Sequence, residues 1–176
     1  MMSIKRFFAK PLASRARKKI DKWAAKPIET QEKVFEHLIK SAKNTAFGQD
    51  HNFNKIKTYE DFKREVPVVD YEGLRAYVDR MVAGESDVLW RGRPLYFAKT
   101  SGTTSGAKYI PITKESMPTH IKAARNALLC YIAETNDASF VNGKMIFLQG
   151  SPILENKNGI KLGRLSGIVA HYVPKY

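Results

Sequence analysis

Residues 96–113 read "YFAKTSGTTSGAKYIPIT". Two short β-forming runs, "LYFAK" and "YIPIT", flank nine residues, 100–108, that are all Gly, Ser, Thr, Ala or Lys. Glycines let a backbone approach an anion closely and turn successive N–H groups inward. Hydroxyls donate to phosphate oxygens, and a lysine adds charge. The pattern therefore suggests a strand–loop–strand unit that cradles phosphate. It is not a Walker loop: only three residues separate Gly102 from Gly106, Ala107 precedes Lys108, and Tyr109 stands where Ser or Thr is required. Nor is it the dinucleotide fingerprint G-x-G-x-x-G.

Around this unit the chain reads as helices first and strands later, an α/β fold with helices packed on a sheet. A helix is expected over 30–45, capped by Thr30, with Val34, Phe35, Leu38, Ile39 and Ala42 on one stripe. Gly48 and "QDHNFNK" read as a loop. Thr58 and Asp61 sit at capping-box spacing for a short helix that Pro67 closes. Asp70 caps the next helix, with Leu74, Tyr77, Val78 and Met81 inside and Gly84 past its end. After the loop, Ser116 is expected to cap a longer helix carrying Ala124, Leu128, Leu129 and Ile132 on one side. "KMIFLQG" (144–150) reads as a buried strand, "ENKNG" as a turn, and "GIKLGRLSGIVAHYV" as weakly strand-like. The chain reaches "HYVPKY" directly after this new strand-like material, and so reads as cut rather than completed.

Size and composition bound the rest. With 176 residues, 43% of them hydrophobic, the chain can build a core, and disorder is excluded. The lone Cys130 allows no internal disulfide, and His37, His51, His120 and His171 lack ligand-like spacing, so no metal site is expected. No run approaches the ~20 apolar residues needed to span a bilayer. A soluble, cytoplasmic protein is the expectation.

Residues 1–26 hold nine Lys/Arg against the single acid Asp21, and so carry eight of the thirteen net positive charges. Ile4, Phe8, Leu12, Ala16, Ile20 and Trp23 recur there at helical spacing, which predicts a basic amphipathic helix. Its apolar stripe would lie on the protein body, on a membrane surface, or, as a basic arm, beside nucleic acid; an organelle transit segment is a fourth reading.

Thr100-Ser101-Gly102-Thr103-Thr104-Ser105-Gly106-Ala107-Lys108 resembles the ATP phosphate loop of adenylate-forming enzymes. Together with "NTAFGQDHNF", "YEDFKREVPVVDYEGLRAYV", "GESDVLWRGRP" and "KYIPITKES", it makes the chain from about Gln31 onward similar to the auxin-responsive acyl acid–amido synthetase family in its bacterial form. The resemblance implies an adenylate-forming domain over 27–176, of which only the N-terminal portion is present. It implies Mg2+ and ATP, a carboxylic acid activated to an acyl-adenylate, and transfer of the acyl group to an amino acid. Thr100, Ser101, Thr103 and Thr104 would be hydroxyl donors in the phosphate loop. Gly102 and Gly106 would bring the backbone close, Ser105 belongs to the same phosphate-binding loop, and Lys108 would be its cation. Arg125 on the following helix and Ser166 in "GRLSGIV" would face the acyl substrate. The resemblance places the ribose and adenine segments and a mobile C-terminal domain beyond residue 176, so this chain alone is expected not to catalyse adenylation.

Two other readings stand beside it. "RGRP" at 91–94 is similar to the core of a minor-groove-binding hook, and with the basic N-terminus it offers DNA binding. The apolar flanks Val88–Trp90 and Leu95–Phe97 favour a turn instead. A non-catalytic nucleotide-binding relative is the other.

Overall fold

The computed structural model describes residues 4–100, 107–144, 146 and 148–172, with backbone only for Ile4, Lys5 and Arg6. In chain order the elements are α1 (Ile4–Ala24), α2 (Pro27–Ala42), α3 (Ala46–Asp50), α4 (Tyr59–Glu65), α5 (Tyr71–Val82), β1 (Tyr96–Lys99), β2 (Tyr109–Ile112), α6 (Met117–Thr135), a 3-10 turn (Ser139–Asn142), β3 (Glu155–Lys157), β4 (Ile160–Gly163) and α7 (Leu165–Ala170). They form two compact units, one of Met1–Thr30 with Met117–Leu148 and one of Gln31–Ser116 with Gln149–Tyr176.

The larger unit is built on a four-stranded mixed sheet in the order β2-β1-β4-β3. β1 runs antiparallel to β2, with Lys99 opposite Tyr109, and parallel to β4, with Phe97 opposite Leu162. Thus "YFAK" and "YIPI" do form a hairpin around residues 100–108. Phe97 and Leu162 face Val78, Met81 and Val82 of α5 in one core, joined by Val88 and Ile160. Burying a side chain of that kind contributes roughly 1.5–3 kcal/mol, so this layer of helix on sheet holds the hairpin in place. The outer edge of β2 offers little to another strand. The Tyr109 N–H is taken by the Tyr71 hydroxyl, and Pro111 has no N–H.

Local chemistry sets the helices. Thr58 and Asp61 form the expected capping box, Asp70 accepts from the Gly73 N–H at 3.1 Å, and Gly84 follows α5 at φ 102°. α2 starts at Pro27 rather than after Thr30, because proline suits the first helical position, where no N–H is needed. Of its expected stripe, Ile39 and Ala42 are buried while Val34 and Leu38 are exposed. The loop expected at Gly48 and 49–55 is helical as far as Asp50, in α3, and only 51–55 remain as turns. Buried Thr45 accepts from the Gly48 N–H at 3.0 Å and donates to the Ala42 carbonyl at 2.7 Å, so α3 follows directly on α2.

Three other expectations change. Ser116 and Thr113 exchange hydrogen bonds, each hydroxyl accepting the other's backbone N–H at 3.0 Å. "ENK" is a strand, paired to β4 through an Asn158-Gly159 turn in which both residues have positive φ, as such tight hairpins require. "KMIFLQG" contains no strand among its described residues; Met145 and Phe147 lie outside them, and Ile146 and Leu148 are almost fully exposed. An apolar run is buried as a strand only where neighbours cover both its faces, and no described element does so here.

In the smaller unit α1 packs on α6 and on the 3-10 turn. The seam consists of Ala9 and Ala13 against Ile132 and Ala138, flanked by Leu129, Ala133, Phe140 and Val141. The expected apolar stripe of α1 is covered only in part: Ala16 and Ile20 are half-buried, while Phe8, Leu12 and Trp23 are exposed. Small side chains let two helices approach closely, and here that side of α1 won the contact.

Candidate functional site

The mouth of the β1–β2 loop is closed by a hydrogen bond from the Thr100 N–H to the Lys108 carbonyl, 3.1 Å. This continues the antiparallel ladder one pair beyond Lys99 and Tyr109. Ser101, Gly102, Thr103, Thr104, Ser105 and Gly106 lie outside the described residues. Thr100 is exposed at the mouth and Lys108 is half-buried.

Lys108 is seated on α5. Its ammonium lies 5.3 Å from the centre of the Tyr71 ring, and the Arg75 guanidinium lies 5.7 Å from the same centre. A cation over an aromatic face at such distances is attracted by the ring quadrupole. The hydroxyl of Tyr71 accepts the Tyr109 N–H at 2.9 Å, so one side chain holds both residues that end the loop. Arg75 also donates twice to Glu72, at 2.6 and 2.9 Å. These bonds, with the charges of Arg75 and Lys108, hold the Glu72 carboxyl below its ordinary range. The loop stem thus carries two cations and one satisfied carboxylate. Sequence reading missed Tyr71 as part of this site, since nothing local links it to Tyr109, 38 residues away.

The remaining expected residues are placed apart. Arg125 is exposed on α6, in the smaller unit. Ser166 is exposed at the start of α7, in the larger one, and its hydroxyl accepts the Gly150 N–H at 2.9 Å. A Cβ on Gly167 would fall 2.1 Å from the Ser151 carbonyl oxygen, so "SGIV" packs backbone against backbone beside β1.

"RGRP" is a structured turn. The Gly92 N–H donates to the Asp87 carboxylate at 2.8 Å, Arg91 pairs with Glu115 at 3.3 Å, and Arg93 donates to the Asn158 carbonyl at 2.6 Å. The same segment receives α3, because the N–H groups of Ala46 and Phe47 donate to the carbonyls of Asp87 and Val88. "NTAFG" and "GESDVLWRGRP" are therefore two halves of one joint. Among the described residues no group of three or more His, Cys, Asp or Glu gathers as metal ligands.

Residues 16–174 match the GH3 family N-terminal domain. The chain belongs to the GH3 family. Among the relatives of this GH3 chain, a jasmonoyl–L-amino acid synthetase, JAR4 of Nicotiana attenuata, is 25% identical over 136 residues, 76% of this chain and 23% of that protein. The indole-3-acetic acid-amido synthetase GH3.15 of Arabidopsis thaliana is 34% identical over 95 residues, 53% of this chain and 16% of that protein. In shape the chain is similar to a solved GH3.15 acyl acid amido synthetase, with a TM-score of 0.70 at 23% identity over 81% of this chain and 26% of the other. A structure of AtGH3.15 with 2,4-DB gives 0.66 at 26% identity over 76% of this chain and 24% of the other. The α/β fold expected from the sequence is thus that of these enzymes, and the chain spans about a quarter of their length.

Proposed function

We propose that this GH3 chain supplies the phosphate-binding hairpin of an enzyme that adenylates a carboxylic acid with Mg-ATP and passes the acyl group to an amino acid. A carboxylate oxygen attacks the α-phosphorus, the bond to the bridging oxygen breaks, and pyrophosphate leaves. The amine then attacks the acyl carbon and AMP leaves. Negative charge gathers on the departing pyrophosphate, and preorganised donors aimed at it lower the barrier.

The observation that carries this reading is the hairpin closed from the Thr100 N–H to the Lys108 carbonyl, with the Lys108 ammonium held on the Tyr71 ring of α5. Hydroxyl and ammonium donors fit a polyphosphate. The loop residues Ser101, Thr103, Thr104 and Ser105 would add donors, and Gly102 and Gly106 would allow close backbone approach. Lys108 would leave the Tyr71 ring to meet the phosphates. The cation would come coordinated by the nucleotide. The names of the relatives support the amide-forming half of the reading.

Titration calorimetry of the 176-residue chain with Mg-ATP tests it. Saturable binding is expected, weakened about ten-fold by Lys108→Ala, which corresponds to about 1.4 kcal/mol. No saturable binding to the folded chain, or equal affinity in Lys108→Ala and Thr104→Ala, would remove the loop from the phosphates. Carboxylate-dependent ATP–pyrophosphate exchange is not expected of this chain alone.

A further inference from the structure

We propose that α1 docks this chain on an anionic lipid surface. The helix buries its alanines and exposes its largest apolar side chains. Ala9 and Ala13 form the seam with α6 at 8% and 1% exposure, whereas Phe7, Phe8, Leu12 and Trp23 are exposed at 59, 57, 55 and 46%. At 100° per residue, Phe7, Phe8 and Leu12 crowd the outward side of the N-terminal half. Arg15, Lys18, Lys19 and Lys22 continue that side toward the C-terminus.

The outward charge has no internal counterpart. The only acid of α1, Asp21, is held by Arg17 at 2.8 Å, and Arg17 also reaches Glu134 at 2.7 Å. Among the described residues Arg15, Lys18, Lys19 and Lys22 have no ion-pair partner. The ammonium of Lys19 lies 5.4 Å from the Trp23 ring, an amphipathic pair that suits the boundary between headgroups and water. A cavity of about 320 Å³ between α1 and α6 is lined by Lys10, Ser14, Arg17, Lys18 and Asn136 with Ile132 and Ala133.

Apolar residues and cations on one helix face match a surface that is hydrocarbon beneath and negative above. A nucleic-acid backbone would use the cations and leave Phe7, Phe8 and Leu12 idle. The family match begins at residue 16, so these three side chains lie ahead of the part shared with the GH3 domain.

Co-sedimentation of the 176-residue chain with phosphatidylcholine vesicles, alone or mixed with phosphatidylglycerol, tests the proposal. Binding to the mixed vesicles only is expected. A Phe7→Ser/Phe8→Ser variant and a Lys18→Glu/Lys22→Glu variant should each weaken it about ten-fold or more with unchanged circular dichroism. These side chains lie outside the seam, so folding should survive. Failure to sediment with the mixed vesicles overturns the proposal. So does binding that the phenylalanine variant leaves intact and that duplex DNA competes away, which is the behaviour of a nucleic-acid arm. Release by inorganic phosphate at equal ionic strength would reduce the site to an anion pocket and also overturn it.

Discussion

The hydroxyl of Tyr71 accepts the backbone N–H of Tyr109 at 2.9 Å and so ties the first turn of α5 to the outgoing end of the candidate phosphate loop. Tyr71→Phe should cost about 1 kcal/mol in a urea melt, the usual net worth of one hydrogen bond. Tyr71→Ala also removes the ring under Lys108 and Arg75 and part of the core, and should cost about 2–3 kcal/mol. If both variants melt like the parent, the tie has no energetic content.

Gly48 marks a close approach rather than a flexible point. A Cβ there would lie 2.1 Å from the Ala42 carbonyl oxygen, and backbone atoms cannot yield cheaply. Gly48→Ala should destabilise by about 1–3 kcal/mol, the range for overpacking, and should loosen α3 from the Asp87–Val88 carbonyls. Hydrogen exchange at Ala46 and Phe47 reads that loosening directly; unchanged protection would count against the joint.

The capping box makes part of the stability depend on pH. Arg64 first, then the N–H groups of Lys57 and Thr58 and the Thr58 hydroxyl, hold the Asp61 carboxyl far below the usual carboxylate range. A carboxyl with a lower pKa folded than unfolded stabilises above the unfolded value, and the contribution is lost as pH falls. Acid melts of the parent should weaken from about pH 5 downward, and Asp61→Asn should flatten that slope. Thr58→Ala should cost about 1 kcal/mol near neutral pH. An identical acid slope in parent and Asp61→Asn would rule the box out as its source.

How much of this was legible beforehand depends on how local each signal is. The caps at Thr58 and Asp70, the stop at Gly84 and the strands either side of the loop are written within four or five residues of where they act. Thr45 was equally local, but a five-residue helix leaves too short a period to see. The identity of the loop was readable as residue types in order, whereas the seat of Lys108 on Tyr71 needed the sheet and α5 to be assembled first. Periodicity placed Phe8, Leu12 and Trp23 near one side of α1. It could not say that α6 would choose the alanine side, because a helical period reports which residues share a face and not what arrives there.

The turn at "RGRP" carries a prediction of its own. Arg93 donates to the Asn158 carbonyl at 2.6 Å and lies 65 residues from it in sequence, so it staples the β3–β4 turn to the segment that follows α5. Arg93→Ala should lower stability by about 1 kcal/mol and leave any duplex DNA binding unchanged. Steeply salt-dependent DNA binding that vanishes with Arg91→Ala/Arg93→Ala would restore the minor-groove reading.

Pro111 gives the sheet a direction of growth. By alternation, the N–H groups of Ile110 and Ile112 face β1, while the outward positions are Tyr109, already engaged by Tyr71, and Pro111, which has no hydrogen to give. An incoming strand would find carbonyls there and no donors, half a ladder at best. Any strand that enlarges this sheet, from the same polypeptide or another, has its open berth beside β3.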